Sequence, residues 1–297
     1  MSRLGVTALV IPALFAASGL PAARVSVLVV CESGVDAYAE ALDGVSSSLP
    51  TGTFRVLDVG SGTFEREFAA ALESNEPRVV IAVGSRALAE IRAHHTAVPL
   101  VTAMVLHASE SEPAIRRVDL DIPLAAQLAA MRTLWPGRKR AGIIRDPGQS
   151  RYTADALEVC ARKEGFVPMV VDCDGPAHLL KAMAALKGKA DFVLCFPDAD
   201  LYNAVTIKPL VLASLEHRLP LVGFSPAFVR AGAAAGIFPD YRDMGRQAAE
   251  MALRLLRGEE HRADESPRKV QVAINQRVTR LLGVNFLCAA PAVEVYR

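Results

Sequence analysis

The stretch Arg78–Arg92, RVVIAVGSRALAEIR, predicts a buried strand, a tight turn and a helix in immediate succession. Val79–Val83 is a continuous apolar run of the kind that a parallel sheet covered on both faces requires, and Gly84 then lets the backbone turn. We expect Ser85 to be the N-cap of the helix, with its hydroxyl accepting a hydrogen bond from a first-turn amide. The other first-turn amides and the positive end of the helix dipole then point out of the carboxyl edge of the sheet, which predicts an anion-binding turn. An ordinary strand-to-helix turn without a ligand is the alternative, and this stretch alone leaves it open.

On either side of this stretch, strands and helices alternate from Arg24 onward with short connections, which predicts parallel, right-handed, doubly wound sheets. The predicted strands are Val25–Val30, Phe54–Val59, Val79–Val83, Val98–Ala103, Arg140–Ile144, Val167–Val171, Asp191–Phe196, Pro220–Phe224, Ala234–Phe238 and Val270–Ile274. The predicted helices are Asp36–Ser48, Thr63–Ser74, Leu124–Leu134, Ser150–Glu164, Pro176–Leu186, Ala199–His217, Asp240–Leu256 and Gln276–Leu282. The alternation lapses over His107–Asp121 and then resumes, which indicates a crossing between two lobes. We therefore expect an α/β fold of two doubly wound parallel-sheet lobes with a central cleft between their carboxyl edges.

The composition favours a small or neutral partner. The chain has 297 residues, 52% of them hydrophobic, which is enough for two sizeable cores. Its 33 Lys and Arg residues nearly balance its 32 Asp and Glu residues, so the net charge is +1. We therefore expect no nucleic-acid partner and no attraction to an anionic membrane surface.

Residues 1–23 have the pattern of a secretory signal peptide. Arg3 is followed by the uncharged run Leu4–Leu20, and Ala22 and Ala23 are small enough for cleavage. The run is shorter than the roughly 20 residues of a spanning helix, although an uncleaved anchor remains the alternative. We expect export with the signal peptide cleaved and no lipid anchor.

The sequence contains no constellation typical of an enzyme, a metal site or a cofactor site. It has no G-x-S-x-G and no Walker motif, and Glu65 occupies the place of the third glycine of a dinucleotide fingerprint. His94 and His95 end a predicted helix, where capping explains them better than metal binding. Asp172 and Asp174 straddle Cys173 in a predicted turn. We expect no catalytic residues, no metal and no cofactor.

The cysteines number five and show no C-x-x-C spacing. We expect most of them to be buried thiols, with Cys31 and Cys195 at strand ends. A disulfide between Cys160 and Cys173 remains open for an exported chain. Four aromatic residues are candidates for stacking on a planar ligand, although core packing suits Phe196 and Phe224 better: Tyr152, Phe196, Tyr202 and Phe224.

Residues 234–258, AAGIFPDYRDMGRQAAEMALRLLRG, combine a short strand, an Asp-Tyr pair and a Gly-Arg-Gln-Ala helix with a glycine stop. This pattern resembles the ABC-transporter substrate-binding proteins of the family that includes tryptophan and tyrosine receptors. Further segments stand in the family's order, so that the resemblance spans roughly residues 25–285: IAVGSRALAEI, PLAAQLAAMRTLWPGRKRAGIIRDP, KADFVLCFPDA, HRLPLVGFSPAFVRAGA and VAINQRVTRLLGV.

The resemblance implies a type I periplasmic-binding-protein-like fold whose two lobes are joined by three crossings and close by hinge motion on a small solute. It divides the chain into an N-terminal lobe, residues 24–118 plus 240–265, and a C-terminal lobe, residues 119–239 plus 266–297. It implies a periplasmic location, a small-molecule solute, an ABC permease as partner, and a monomer. A sensory binding module that serves a membrane receptor is the alternative, and an α/β enzyme using the same cleft is a further one.

Carried over by resemblance, the ligand site takes residues that follow the strands of both lobes. From the first lobe these are Ser33, Gly34, Gly84, Ser85, Arg86 and Thr102 to Met104, and from the second they are Asp146, Ser150, Tyr152, Pro197, Asp198, Ser225, Asp240 and Tyr241. The family often carries Asn where this chain has Asp146 and Ala199, and Arg145 and Arg151 also flank the site. These departures favour a ligand with extra charge over an ordinary aromatic amino acid.

Overall fold

The computed structural model describes residues 25–74, 77–105, 115–150, 152–198, 200–259, 264–287 and 293–296. The predicted signal peptide, most of the predicted crossing segment, Arg151, Ala199 and Cys288 lie outside these ranges. Within the described ranges, no helix combines the length and the apolar character that crossing a membrane needs.

The first part of the chain alternates strands and helices up to the fifth strand. Its elements are β1 (Val27–Cys31), α1 (Asp36–Ser48), β2 (Phe54–Asp58), α2 (Phe64–Glu73), β3 (Val79–Val83), α3 (Ser85–Ala93), β4 (Leu100–Ala103) and β5 (Ile115–Val118). The middle part comprises α4 (Leu124–Leu134), β6 (Arg140–Arg145), α5 (Ala154–Lys163), β7 (Val167–Asp172), a 3-10 turn (Pro176–His178), α6 (Leu179–Leu186), β8 (Phe192–Leu194), α7 (Ile207–His217), β9 (Leu221–Gly223), α8 (Pro226–Ala231) and β10 (Ala235–Pro239). The last part comprises α9 (Tyr241–Leu256), β11 (Asp264–Glu265), β12 (Val270–Asn275), α10 (Gln276–Leu282) and β13 (Val293–Tyr296).

The strands form two separate sheets, and the predicted fold class is confirmed. The first sheet has six strands in the order β11-β5-β4-β3-β1-β2, all paired in parallel. The second has seven in the order β13-β12-β10-β9-β8-β6-β7, and it is parallel except where β12 runs antiparallel to β10. Every residue of β1 and β3 is buried, as central strands with helices on both faces require.

Several elements differ from the predicted pattern. Strand β5 lies inside the segment predicted to lack regular structure. It was not predicted because Arg117 interrupts the apolar pattern of the strand. Arg117 is only 5% exposed, and its Nε donates to Asp264 Oδ1 at 2.8 Å. Helix α7 begins at Ile207 rather than at residue 199, since Asn203 Oδ1 accepts from the backbone amides of Val205 and Thr206 and holds a turn there. Strands β11 and β13 and the short helix α8 carry too little periodic pattern to be predicted.

Helix α9 packs closely against α1 and over β3, β4 and β5. The contact is lined by small residues, and two glycines decide how near the helices come. A Cβ on Gly245 would lie 1.9 Å from the carbonyl oxygen of Ala41, and a Cβ on Gly44 would lie 2.0 Å from that of Arg242. Only glycine fits at these two positions, so the crossing brings backbone against backbone.

The chain passes between the two sheets at three places that contact one another. The amide of Asp119, after β5, donates to the carbonyl of Glu265 at 2.9 Å, and the amide of Asp240, before α9, donates to that of Lys269 at 3.0 Å. Gln247 of α9, 1% exposed, donates to Ser266 O at 3.1 Å. These bonds join the three crossings into one connection. The residue boundaries of the two lobes, which come from the sequence, stay a prediction.

Candidate functional site

A cavity of about 250 Å³ lies at the carboxyl ends of β6 and β8 in the second sheet. Its wall combines residues 121 and 122 of the first crossing with Gln127 of α4, the end of β6, and the two loops that follow β6 and β8. Open α/β sheets bind ligands at this edge, because the strand ends present loops and helix N-termini there. The position makes this cavity the candidate binding site.

One side of the cavity is aromatic. Tyr152 and Phe196 lie with ring centroids 6.4 Å apart and ring planes tilted by 53°. Tyr202 is almost fully buried, packs edge-on against Phe228 at 5.7 Å, and donates from its hydroxyl to Ile144 O at 3.5 Å. Burial raises the pKa of Tyr202 well above 10, so this phenol stays protonated. The aromatic wall offers apolar surface and ring faces to a small ligand.

The loop after β6 is held by three polar side chains, two of which also line the cavity. Arg145 donates from Nε to Asp172 Oδ1 at 2.7 Å and from Nη1 to Tyr152 O at 3.0 Å. Ser150 Oγ donates to the same carbonyl at 3.1 Å. Asp146, in contrast, does not line the cavity: its two carboxylate oxygens accept from the amides of Gly148 at 2.8 Å and Gly175 at 3.2 Å. Arg145 and Ser150 thereby orient Tyr152, while Asp146 braces the loop from outside.

Polar side chains also line the cavity. Asp198 Oδ1 accepts from the amides of Asp200 at 3.0 Å and Leu201 at 2.9 Å, which shapes the loop after β8. Gln127 is 4% exposed, and its Nε2 donates to Ile122 O at 2.9 Å. Gln127 is not among the predicted site residues, although the single amide among the apolar residues of LAAQLAAM is a signal for it. Asp121 and Gln149 are not among them either, because they reach the cavity through loop geometry alone.

Of the predicted second-lobe residues, Ser150, Tyr152, Pro197 and Asp198 line this cavity, and the others lie elsewhere. Ser225 is the N-cap of α8, where its hydroxyl accepts from Phe228 N at 3.2 Å. Asp240 is the N-cap of α9, where Oδ1 accepts from Asp243 N at 2.9 Å. The Tyr241 ring packs on Phe238, and burial raises the pKa of Tyr241 to about 12. In this structure Ser225 and Asp240 therefore cap helices, the Tyr241 ring packs against Phe238, and none of the three lines the cavity.

The expectation that Ser85 caps α3 is wrong. The N-cap is Gly84, with φ of 96°, and Ser85 is the first helical residue without a side-chain cap bond. The glycine holds this conformation at low cost, and the Tyr38 ring fills the space where a Cβ would stand, 2.7 Å away. Ser85 and Arg86 remain exposed at the carboxyl end of β3, and Arg86 Nη1 pairs with Glu32 Oε1 at 2.7 Å.

The remaining first-lobe residues follow β1 or belong to β4 and its end, and none of them lines the cavity. Ser33 donates from N and Oγ to the two carboxylate oxygens of Asp58, at 3.1 and 2.6 Å, and these bonds help to hold the pKa of Asp58 below its ordinary value. Gly34 is exposed with φ of 84°, while Thr102 is 1% exposed. Met104, with φ of 61°, is one of the few described non-glycine residues in the left-handed region, which marks local strain beside the end of β4.

The histidine and cysteine residues that the sequence analysis considered have structural positions. His94 is the C-cap residue of α3, and its Nε2 lies 2.9 Å from Glu65 Oε2. Cys160 and Cys173 are free thiols, so the disulfide left open by the sequence does not form, and Cys31 and Cys195 are buried as expected. Within the described ranges, no group of three His, Cys, Asp or Glu residues is arranged to hold a metal ion.

The comparison with known proteins identifies the family. The sequence model of the ABC transporter substrate binding protein family matches residues 65–287. A tyrosine-binding protein of Clostridioides difficile (strain R20291) is 28% identical over 134 residues, which cover 44% of this chain and only 38% of that protein.

Solved structures show the same fold. A ligand-free, open substrate-binding protein with adhesive properties from Clostridium difficile has a TM-score of 0.67 at 15% identity, over 92% of this chain and 99% of that one. An ABC domain in complex with L-Trp from Streptococcus pneumonia has a TM-score of 0.56 at 15% identity, over 91% and 99%. The family model covers most of the chain and the resemblance noted in the sequence is confirmed, so the chain belongs to the ABC transporter substrate-binding protein family.

Proposed function

We propose that this chain is the extracytoplasmic receptor of an ABC importer and captures a small amino-acid-like or carboxylate solute in the cleft between its two lobes. The single observation that carries the proposal is the aromatic-walled cavity at the carboxyl edge of the second sheet, within a chain of this family. The tyrosine-binding and L-Trp-bound relatives support a ligand of amino-acid type.

The proposed mechanism is closure of the two lobes on the ligand. The second-lobe cavity holds one part of the solute against Tyr152 and Phe196. The exposed N-terminal turn of α3 at Ser85 receives a carboxylate from the other side, since first-turn amides and the helix dipole favour an anion there. Only the closed form makes both sets of contacts at once, and this difference in affinity drives closure.

The three joined crossings are the proposed hinge, because they are the only places where the described chain passes between the sheets. The closed receptor, a monomer, then presents its ligand to the permease in the membrane. The predicted signal peptide supports export to the periplasm, and the proposed receptor converts nothing chemically.

A thermal-shift and calorimetry series with L-tyrosine, L-tryptophan, other amino acids and small carboxylates tests this proposal on the chain from Arg24 onward. A ligand at about 100 times its Kd adds about 2.7 kcal/mol of stability. For a chain of this size that corresponds to a rise in Tm of roughly 5–10 °C. The bound compound should be recovered unchanged, and conversion of the compound would contradict the receptor.

The variant Tyr152→Ala tests whether the ligand binds in the cavity. Loss of the ring should weaken binding by at least about tenfold, or 1.4 kcal/mol. Tyr296→Ala is the matched control, since Tyr296 is a half-buried tyrosine of the same sheet that lies outside the cavity lining. Equal affinities of the Tyr152→Ala variant and the wild type would move the site elsewhere.

A further inference from the structure

The charges that line the cavity are mostly negative. Three lining residues are aspartates, Asp121, Asp198 and Asp200, and the described lining contains one arginine, Arg145. The guanidinium of Arg145 spans both carboxylate oxygens of Asp172, at 2.7 and 3.3 Å. Its positive charge is therefore balanced by a carboxylate that does not line the cavity.

Two of the aspartates have no cationic partner in the part of the chain that the structure describes. Asp198 uses Oδ1 for two loop amides, and neither Asp198 nor Asp200 pairs there with a Lys, Arg or His side chain. Water can solvate both carboxylates while the site is open. Closure of the two lobes on a ligand removes that water, and an unpaired carboxylate in a closed site costs free energy.

Gln127 adds an acceptor to the same cavity lining. Its Nε2 must face the Ile122 carbonyl, 2.9 Å away, since only the nitrogen of the amide can donate. The orientation of the amide is therefore fixed, and Oε1 has no hydrogen-bond partner among the described residues. Gln127 is a residue with 4% exposure that lines the cavity, so its unused acceptor is available to a donor from a ligand.

The aromatic wall suits the same kind of group. The faces of the Tyr152 and Phe196 rings carry negative quadrupole density that attracts ammonium and guanidinium ions, and more strongly after desolvation. Carboxylates, an amide oxygen and ring faces together offer acceptors and negative potential to one end of the ligand. A carboxylate or a neutral phenol at this place would leave Asp198 and Asp200 unpaired.

We propose that the receptor selects a net cationic amine, such as a basic amino acid, whose ammonium or guanidinium end enters the second-lobe cavity beside Gln127 and Asp198. This inference rests on the proposed function, because it takes the cavity as the receptor's binding site. The apolar stem of the ligand lies against Tyr152 and Phe196, and any carboxylate points toward the first lobe.

Isothermal titration calorimetry with charge-matched pairs tests the inference. L-arginine and L-citrulline have nearly the same shape but differ in side-chain charge, and L-lysine and L-norleucine form a second pair. We expect the cationic member of at least one pair to bind tenfold or more tightly than its neutral counterpart. Raising the salt concentration from about 50 to about 500 mM should weaken the cationic member more than the neutral one.

The variant Asp198→Asn keeps an oxygen for the loop amides and removes the charge. It should reduce the cationic-to-neutral affinity ratio at least fivefold. Asp155→Asn, an exposed aspartate in the first turn of α5 that does not line the cavity, is the matched control and should leave the ratio unchanged.

Failure of this inference is distinguishable from failure of the proposed function. If L-tyrosine or L-citrulline binds in a Tyr152-dependent way as tightly as L-arginine and L-lysine, the charge preference is refuted while the receptor stands. If no compound of the thermal-shift series binds, these pairs included, both are refuted. If Asp198→Asn leaves the preference for the cation unchanged, the inference that the cationic end of the ligand lies beside Asp198 is refuted.

Discussion

Gly245→Ala should destabilise the protein, because the crossing of α1 and α9 leaves no space for a methyl group. The new Cβ would lie 1.9 Å from the carbonyl oxygen of Ala41, whereas real Cβ contacts are essentially never shorter than 3.0 Å. The clashing atom belongs to the backbone of α1 and cannot rotate away. The helices must therefore separate by roughly 1 Å, in an interior packed as densely as an organic crystal.

The magnitude follows from two opposing effects. Overpacking of a core costs about 1–3 kcal/mol, and a backbone clash belongs at the upper end of that range. Replacing glycine by alanine inside a helix returns about 1 kcal/mol of helix propensity. We expect a net loss of about 2 kcal/mol, which lowers Tm by roughly 4–8 °C for a chain of this size.

Urea unfolding followed by circular dichroism, with thermal unfolding beside it, measures this loss. Gly62→Ala is the matched control, since Gly62 has no positive φ and a Cβ there would meet no atom within 4 Å; it should change stability by less than about 0.5 kcal/mol. Gly44→Ala meets the carbonyl of Arg242 at 2.0 Å across the same crossing. The double variant should cost less than the sum of the two single variants, because one separation relieves both clashes. A Gly245→Ala variant as stable as the wild type would refute this account of the crossing.

Two further predictions concern the turn after β3 and the buried thiols. Gly84→Ala should lower the free energy of unfolding by about 2 kcal/mol, because alanine is strained at φ of 96° and its Cβ meets the Tyr38 ring. In a Tyr38→Ala background the same substitution should cost less, since the clash is gone and only the backbone strain remains. Urea unfolding measures both losses. Burial raises the pKa of Cys31 to about 11 and that of Cys195 to about 12, from 9.0, so the folded state holds these protons after the unfolded chain has lost them. The free energy of unfolding should therefore fall as the pH rises from about 9 toward 12, with a smaller fall in Cys31→Ala, and a flat profile in urea titrations would contradict the burial argument.

Some elements were predictable because their signal is local. Helices Asp36–Ser48, Leu124–Leu134 and Gln276–Leu282 and strand Val79–Val83 begin and end where the sequence predicts. In each, apolar periodicity or an apolar run agrees with the flanking turn and stop residues. The stop of α9 at Arg257 and Gly258 is of the same kind, since Gly258 has φ of 72°.

Other elements depend on partners that are distant in the chain. Strand β5 was hidden because Arg117 is buried, and it is buried because Asp264, far along the chain, supplies its partner. The cap of α3 was assigned to Ser85 because residue type alone favours serine over glycine. The structure places Gly84 there because the Tyr38 ring of another helix occupies the space of a side chain.

By itself, the sequence determined the α/β class, the order of most strands and helices, and membership in a family of binding proteins, since these follow from local periodicity and an ordered set of segments. Only the tertiary structure decided which polar residues share a cavity, because Gln127, Tyr152 and Asp198 come from separate segments that meet at one sheet edge. It likewise decided that Asp146 and Ser225 serve their own loops and helices, since hydrogen bonds within a turn compete with any ligand for the same oxygen atoms.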